Sequence, residues 1–509
     1  MAAPAAALAP ARQSGRDPRW VWLTPVAVFV FVGAAPALGF TRVVAAVLAV
    51  ALVVVLSRYP GPTLVALVWF LPLQIPLFSY LYHHGVPGPI VRPFGALKEV
   101  LGVAILVAAV RAIRAGHSRL DRLDKLLLAF VAVLLVYLFA PMLVSAADFY
   151  PRSLSTRLMG FRMNAAFVLL LVGVRHAQID ERWRRRFVSS IVVVSAMLAA
   201  FGLYQYARPE SFTDFVFNTL GIPWYQLDVL DSPIEGVVQL MRWTTVRPVR
   251  VGSLFVGPFN FADFMLLPAG LLLARLARRA ARFTDVALLV VVGGTIFASQ
   301  TRANLLGLGA MALLAMAPRK GSFTNQLRVM AIVALAVVAF VPSLASSRLG
   351  GVGDSASSTE GHINEIRLGI ELLQDEPLGL GLGTAPAVAV REEGAPLVIS
   401  DNSLLQVGNE LGVVMMVFFI VILVAVIRRL GRAARADPEN DLAAGARLAL
   451  IGLVLAGQLH HVFQTFAISW LVFAMAGLGL AASARVKPGE SDEAAADDGA
   501  NQRETAAFS

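Results

Sequence analysis

The stretch "SDNSLLQVGNELGVVMMVFFIVILVAVIRRLGR", Ser400 to Arg432, joins a polar beginning to a long apolar run that ends in arginines. A helix that begins near Ser403 and continues through Ile427 is long enough to cross a hydrocarbon core of about 30 Å. The arginines that follow are typical of a cytoplasmic helix end. We therefore predict a membrane-spanning helix whose first turns carry amides and carboxylates.

The composition extends this prediction to the whole chain. Of 509 residues, 57% are hydrophobic and 15% are charged, which is far more apolar than a soluble globular protein. The absence of cysteine excludes disulfides and thiolate chemistry. We predict an all-α polytopic membrane protein with about 12–14 transmembrane helices and a large periplasmic loop that contains short amphipathic helices. The first apolar run, Val21 to Phe40, is expected to be a retained span.

The basic residues predict the orientation of the spans. With a cytoplasmic N-terminus, most of them fall in loops on the inner side, as the positive-inside rule requires, and the C-terminus is then cytoplasmic as well. The loops in question are Arg111 to Lys125, Arg175 to Arg186, Arg275 to Arg282, Arg319 to Arg328 and Arg428 to Arg435. The net charge of +10 is thus a topology signal, and no nucleic-acid partner is expected.

Loop lengths and composition predict the organisation along the chain. The predicted segments are a cytoplasmic N-terminal segment (1–20), transmembrane helices (21–345) with an outer loop at about 207–251, a large periplasmic loop (346–401), C-terminal transmembrane helices (402–483) and a disordered cytoplasmic tail (484–509).

Polar residues inside the predicted spans lie on one side. A central Arg or Asp costs on the order of 2.5–3.5 kcal/mol on insertion scales, so such residues need a reason. Those in the outer halves are Lys98, Glu99, Arg162, Asn164, Asn260, Asp263, Arg302, Asn304, Gln406, Asn409, Glu410, Gln458 and His460. They predict a polar cavity that opens outward, with Asn260, Asp263, Asn402 and Gln406 in contact with substrate. For each residue taken singly, the alternative is a helix cap or a side chain that reaches toward the membrane surface.

Two arginines are the sharpest signals for a ligand. Arg250 lies just before the span that begins in "VRVGSLFVGPFNFADF", and Arg302 lies at the break between two apolar runs in "SQTRANLLGLG". A planar guanidinium suits bidentate phosphate binding, with hydrogen bonds worth about 1.5–3 kcal/mol each. The alternative is that these arginines anchor helix ends at lipid headgroups.

The long outer loop contains "INEIRLGIELLQDEPLGLGLGT", in which Ile363, Ile366 and Ile370 follow helical spacing. This spacing predicts a short amphipathic helix on the membrane surface, ended by Pro377 and followed by a flexible glycine turn. His362 is a further candidate site residue from this loop, although a single loop histidine is more often simply solvated.

These stretches together resemble the O-antigen ligase and O-antigen polymerase superfamily of integral membrane glycosyltransferases. The segment with Arg250 is similar to the family's span that contains Arg, Gly and Pro-Asn, and "SQTRANLLGL" is similar to its Ser-x-Ser-Arg helix start. The loop segment is similar to the Arg-containing helix followed by Pro-Leu-x-Gly-x-Gly, and "DNSLLQVGNELG" to the closing motif His-Asn-x-x-Leu-x-x-x-x-Glu-x-Gly. The resemblance covers roughly Val249 to Ile427.

The resemblance implies a type C-like membrane glycosyltransferase fold in a bacterial inner membrane. It implies a donor linked to undecaprenyl pyrophosphate, a glycan or lipid acceptor, contacts with membrane lipids and with other polysaccharide assembly proteins, and no cofactor. Carried over by position, Arg250, Arg302 and Arg367 are expected to bind the pyrophosphate. Asp401 stands where the family has histidine, which favours a polymerase or a divergent ligase.

The reaction expected is attack of an acceptor hydroxyl on C1 of the sugar, with inversion and without a metal. Asp401 is the predicted proton acceptor and Glu410 the reserve candidate, a contribution of typically 10² to 10⁴ in rate. The alternative for Asp401 is a helix cap, a role that Ser400 and Asn402 could also fill.

Two other functions fit the same pattern of spans. A lipid-linked oligosaccharide flippase or another transporter is expected to place polar groups near the membrane midplane with access from both sides. A peptidoglycan polymerase of the shape, elongation, division and sporulation group also uses polyprenyl pyrophosphate donors.

Overall fold

The structure of the protein is a computed structural model, which describes residues 40–141, 153–230, 237–238, 249–255, 257–278, 281–316, 354–384 and 402–482. For residues 40–45 and 354–362 it describes the backbone alone. The predicted first span up to residue 39, the tail 484–509 and the candidate base Asp401 lie outside the described residues, as does the side chain of His362.

The helices, in chain order, are α1 (Phe40–Leu56), α2 (Pro60–His83), α3 (Gly88–Phe94), α4 (Leu97–Arg114), α5 (Arg122–Phe139), α6 (Leu154–His176), α7 (Glu181–Ala207), α8 (Pro209–Asp214), α9 (Ile222–Asp228), α10 (Pro258–Ala277), α11 (Phe283–Ala298), α12 (Arg302–Met316), α13 (Asp354–Asp375), α14 (Ser403–Ala436), α15 (Asp441–Ala456) and α16 (Phe466–Ala482). A π-helical turn, Phe215–Thr219, connects α8 to the segment before α9. Helix α1 belongs to a first unit that ends at Val55, and the later helices form a second unit.

Among the described helices, α2, α6, α7, α10 and α14 are each long and apolar enough to cross a membrane, and four shorter apolar helices accompany them. The described residues contain no strand. The prediction of an all-α polytopic membrane protein is therefore confirmed. The number of 12–14 spans and the boundaries between the predicted segments remain predictions.

Helix α10 lies at the centre of the second unit. Of its most apolar stretch 83% is buried, against 61% or less for the other four long helices. It packs against α15, which packs in turn against α12. A Cβ atom added at Gly270 would lie 2.6 Å from the carbonyl oxygen of Gly445, and one added at Gly307 would lie 2.6 Å from that of Gly452. Small residues therefore set these crossings, as is usual where lipid gives helices no hydrophobic reason to associate.

Helix α14 is broken at Gly412, where φ is 83° and ψ is 168°. The sequence predicted one continuous helix here and a flexible turn at the glycines after Pro377, and both expectations are wrong. The segment Pro377–Gly383 packs against the break and supplies partners for the backbone groups that a broken helix leaves open. The bonds are Leu380 N to Asn409 O (2.9 Å), Gly381 N to Glu410 O (2.8 Å), Val413 N to Pro377 O (2.9 Å) and Tyr137 Oη to Leu411 O (2.6 Å).

Only glycine fits at the point where these two segments meet. Gly379 has a φ of 77°, and a Cβ atom added there would collide with the backbone nitrogen of Gly412. The sequence alone could not show this, because each glycine resembles an ordinary turn residue until its partner is known.

A helix is present where the sequence predicted one in the long loop: α13 packs against α14, with Ile363 and Ile370 exposed. Its position at a membrane surface remains a prediction.

Ion pairs occupy the other end of α14, and one of them, Arg175–Asp124, is buried. Arg429 reaches Asp121 at 3.1 Å, and Arg175 binds both Asp121 (2.6 Å) and the fully buried Asp124 (2.7 Å). The hydrogen bonds from Arg175 hold the pKa of Asp121 well below its usual range. Buried polar residues are thus not confined to one end of the helices, contrary to the sequence-based expectation.

We expect Gly307→Ala to destabilise the protein by about 1–3 kcal/mol, because the added methyl group meets a backbone carbonyl that cannot move aside. The matched control is Gly309→Ala in the same helix, where no atom lies within 4 Å of an added Cβ and the variant should be as stable or slightly more stable. The thermal unfolding midpoint in detergent tests this. Equal midpoints for the two variants would show that the α12–α15 crossing does not depend on glycine.

Candidate active site

Arg250 lies in the segment Val249–Phe255, which leads into α10. Gln205 of α7 holds this segment, because its Oε1 atom accepts hydrogen bonds from the backbone N–H groups of Gly252 (2.9 Å) and Ser253 (2.8 Å). Ser253 has a φ of 51°, a left-handed conformation that costs a non-glycine residue about 1–3 kcal/mol. A buried glutamine thus fixes the backbone next to the arginine.

The same segment meets the turn before Arg302. The backbone N–H of Val251 donates to the carbonyl oxygen of Ala298 at 3.1 Å. Gln300, in the turn between α11 and α12, has a φ of 56°. Arg250 therefore precedes the strained residue Ser253 by three positions, and Arg302 follows the strained residue Gln300 by two.

Arg250 and Arg302 are close enough to repel each other. Burial lowers the pKa of Arg250, and the positive charge of Arg302 lowers it further. Within the described part of the chain, the side chain of Arg302 forms no ion pair or hydrogen bond. Two guanidinium groups held together in this way are suited to a ligand that carries more than one negative charge.

A buried carboxylate lies among these helices. Asp263, one turn into α10, is fully buried and accepts a hydrogen bond from Asn304 Nδ2 at 2.6 Å. The Nε2 atom of His460 lies 2.9 Å from each carboxylate oxygen of Asp263. Asn304 is two residues beyond Arg302, so the carboxylate connects the arginine-bearing helix to the segment that carries His460.

The first turn of α10 adds an aromatic ring. Phe259 lies under the guanidinium of Arg250, at 4.9 Å from the ring centroid, and its ring is 5.2 Å from that of His460. In the same turn, Asn260 Oδ1 accepts a hydrogen bond from Thr465 Oγ1 at 3.2 Å. The residues after α15 are thus bound to the start of α10 at two points.

The beginning of α14 is tied to the same segment. Asn402 is the N-cap, and its Oδ1 atom accepts from the backbone N–H groups of Leu404 (2.9 Å) and Leu405 (3.0 Å). Ser403 Oγ donates to the carbonyl oxygen of His460 at 3.0 Å. The cap is therefore Asn402 and not Asp401, and the closing motif lies beside the segment that carries His460.

Glu410 lies at the broken turn of α14 and is 2% exposed. Its Oε1 atom accepts from the backbone N–H of Gly383 at 2.7 Å, and its Oε2 atom accepts from Asn164 Nδ2 at 2.9 Å. The two oxygens therefore connect α14 to the segment Pro377–Gly383 and to α6. This geometry gives Glu410 an anchoring function and does not favour it as a base.

Gln406 and Asn409 are each 1% exposed, and their side-chain amides have no hydrogen-bond partner among the described residues. Buried amides without partners are costly, at about 1–3 kcal/mol each. The polar stripe predicted for α14 thus includes two groups able to bind hydroxyl groups or water.

Of the remaining predicted site residues, Arg367 is not brought to the other two arginines. It lies exposed on α13 and pairs with Glu371 at 2.8 Å. The positions of Asp401 and of the His362 side chain are not described. No contact joins Arg367 to Arg250 or Arg302 within the described residues.

The sequence reasoning missed Gln205 and Phe259 and did not choose His460 as a site residue. His460 stood out as a polar residue in a span, but its partner Asp263 is far away in the sequence. For Gln205 no sequence signal exists, because its role depends on a segment that the fold brings to α7.

In the described residues, no three His, Asp or Glu side chains converge to hold a metal ion. Metal independence remains a prediction. The chemical content of the site is two arginines, a carboxylate paired with an imidazole, and several amides.

Residues 287–420 match the model of a protein family described as O-antigen ligase. The matched region includes Arg302 and Glu410, whereas Arg250, Asp263 and His460 lie outside it. A comparison with curated proteins gave no match. The family match supports a membrane glycosyltransferase of O-antigen ligase type that acts on lipid-linked glycans. Residues 287–420 are therefore similar to the O-antigen ligase family, as the motifs predicted, and the apolar helices are those of a multi-pass membrane protein.

Proposed function

We propose that the protein transfers a glycan from undecaprenyl pyrophosphate to a glycan or lipid acceptor, and so polymerises or ligates a surface polysaccharide such as O-antigen, capsule or exopolysaccharide. The site would face the periplasm from a bacterial inner membrane, with both termini in the cytoplasm. Other polysaccharide assembly proteins are proposed partners.

The observation that carries this proposal is the contact that brings the segment of Arg250 to the turn before Arg302, where the backbone N–H of Val251 donates to Ala298 O at 3.1 Å. Positive charges repel, so a structure that holds two guanidinium groups together gains from an anion between them. The linkage between a sugar and a polyprenyl group is a pyrophosphate diester, which offers several oxygens to planar donors. The rigid supports at Gln205, Ser253 and Gln300 hold the donors before the ligand arrives, as electrostatic catalysis requires.

In the proposed reaction the acceptor hydroxyl oxygen forms a bond to C1 of the donor sugar. The bond between C1 and the pyrophosphate oxygen breaks, and its electron pair leaves with the polyprenyl pyrophosphate. Attack from the opposite side inverts C1. The two arginines stabilise the charge that develops on the leaving group, and no metal takes part.

Asp401 is the proposed acceptor for the hydroxyl proton. Because Asn402 caps α14, Asp401 is not needed for that purpose and its carboxylate can serve the reaction. Gln406 and Asn409 lie on the same helix and are proposed to bind sugar hydroxyl groups.

The test of the function is a deletion strain whose surface glycans are sized on a gel. We expect single repeat units on a normal core if the protein is a polymerase, and full-length lipid-linked polymer missing from its acceptor if it is a ligase. Complementation with Arg302→Lys, which keeps the charge but removes the planar fork, should restore less than about a tenth of the glycan, the loss of one charge-assisted hydrogen bond.

The matched control is Arg208→Lys, an exposed arginine after α7, which should complement fully. Full complementation by Arg302→Lys would contradict the pyrophosphate site. Normal glycan in the deletion strain, with intermediates accumulating in the cell, would indicate a flippase instead.

We expect Asp401→Asn to reduce glycan transfer about 10²- to 10⁴-fold at normal protein levels, because asparagine cannot accept the proton. The measurement is the initial rate of transfer in purified membranes, with protein quantified by blot. The matched control is Glu376→Gln, a carboxylate at the end of α13, which should keep the parental rate. A rate for Asp401→Asn within threefold of the parent would remove Asp401 from the reaction.

Glu410→Gln should lower stability by about 1–3 kcal/mol, because one of its two acceptors becomes a donor that faces another donor. At low temperature the folded variant should transfer glycan at nearly the parental rate. The unfolding midpoint and the initial rate separate the two effects. Unchanged stability together with a lost rate would make Glu410 a reacting group.

A further inference from the structure

The pairing of Asp263 with His460 is not explained by support of the helices alone. Asp263 is fully buried, and within the described residues its side chain is bound by the neutral amide of Asn304 and by the imidazole of His460. A carboxylate placed so close to an anion site would weaken that site unless its charge were balanced.

The contact of Nε2 with Asp263 fixes the ring of His460. Nε2 lies 2.9 Å from both carboxylate oxygens, so it carries a proton that it donates to the carboxylate. The two ring nitrogens lie on different edges of an imidazole, and the edge that carries Nδ1 therefore faces away from Asp263. Backbone contacts hold the ring further, since Ser403 Oγ donates to the carbonyl oxygen of His460.

The residues that contact His460 also lead toward both arginines. Phe259 contacts His460 with one part of its surface and Arg250 with another, at centroid distances of 5.2 and 4.9 Å. On the other side, Asp263 is bonded to Asn304, two residues after Arg302. His460 is thus linked to Arg250 through the ring of Phe259, and to the helix turn that carries Arg302 through Asp263 and Asn304.

The charges around His460 favour a protonated ring when a pyrophosphate is bound. Arg250 and Arg302 carry two positive charges, and a pyrophosphate diester carries two negative charges. The carboxylate of Asp263 reduces the positive total by one, whereas an imidazolium at His460 restores it. A protonated His460 would therefore make the buried cluster complementary in charge to the ligand.

We propose that His460 is a third donor to the pyrophosphate of the lipid-linked substrate. With the donor bound, Nε2–H is held by Asp263 and Nδ1–H is given to a phosphate oxygen, next to the arginines. This inference rests on the proposed function, and it adds a residue outside the region that matches the family. It also places an imidazole in the site of a chain whose closing motif has Asp401 at the histidine position.

The experiment measures binding of inorganic pyrophosphate to the full-length protein in detergent, from the rise of the unfolding midpoint with ligand concentration. We expect His460→Gln to raise the Kd at least tenfold. The matched control is His461→Gln, the exposed neighbour, whose Kd should stay within twofold of the parent.

Asp263→Asn gives the sharper result, because it removes a negative charge. If His460 is a neutral bystander, this variant should bind pyrophosphate more tightly. If Asp263 maintains an imidazolium, the variant loses both of these charges and the total is unchanged, so the loss of the imidazolium donor should raise the Kd severalfold. Asp263→Asn tests the inference even if the His460→Gln variant does not accumulate.

Three outcomes would overturn the inference. The first is a Kd for His460→Gln within twofold of the parent, and the second is tighter binding by Asp263→Asn. In both cases Arg302→Gln shows whether the proposed function survives, because it should still lose binding. The third is a parent protein that pyrophosphate does not stabilise, which would overturn the pyrophosphate site and this inference together.

Discussion

A helix that breaks within a membrane protein must find partners for the backbone groups it exposes, since lipid offers none. The break at Gly412 satisfies this requirement through the segment Pro377–Gly383, which gives two N–H groups and accepts one. The contact is possible only because glycines face each other at Gly379 and Gly412. The long loop is therefore docked onto the helix bundle at a defined register, with Glu410 fastening it to α6.

The docked loop also fixes the first turns of α14. The first turns of α14 precede the break, so their direction is set by the bonds at Gly412 and by the cap at Asn402. Ser403 then binds the carbonyl oxygen of His460, which brings the segment after α15 against the start of α10. The backbone hydrogen bonds at the break, the contact of Ser403 with His460 and the cluster around Asp263 therefore form one connected set of contacts.

Much of the fold could be predicted from the sequence. Apolar run length and the distribution of arginines predict an α-helical membrane protein, and the chemistry of guanidinium singles out Arg250 and Arg302, whose role as anion ligands remains a prediction. The break at Gly412 could not be predicted, because an isolated glycine in an apolar helix has several explanations. The role of His460 depends on a carboxylate nearly two hundred positions earlier, and only the packing of α10 against α15 brings them together.

The crossing of α15 with α10 and α12 has a consequence for biosynthesis. The hairpin of α15 and α16 leaves the ribosome after the segments that bear Asp263 and both arginines. Until it inserts, Gly270 and Gly307 lack their neighbours and the carboxylate lacks its imidazole. A nascent or truncated chain therefore cannot hold a complete site. The buried cluster around Asp263 is therefore complete only once this hairpin has inserted.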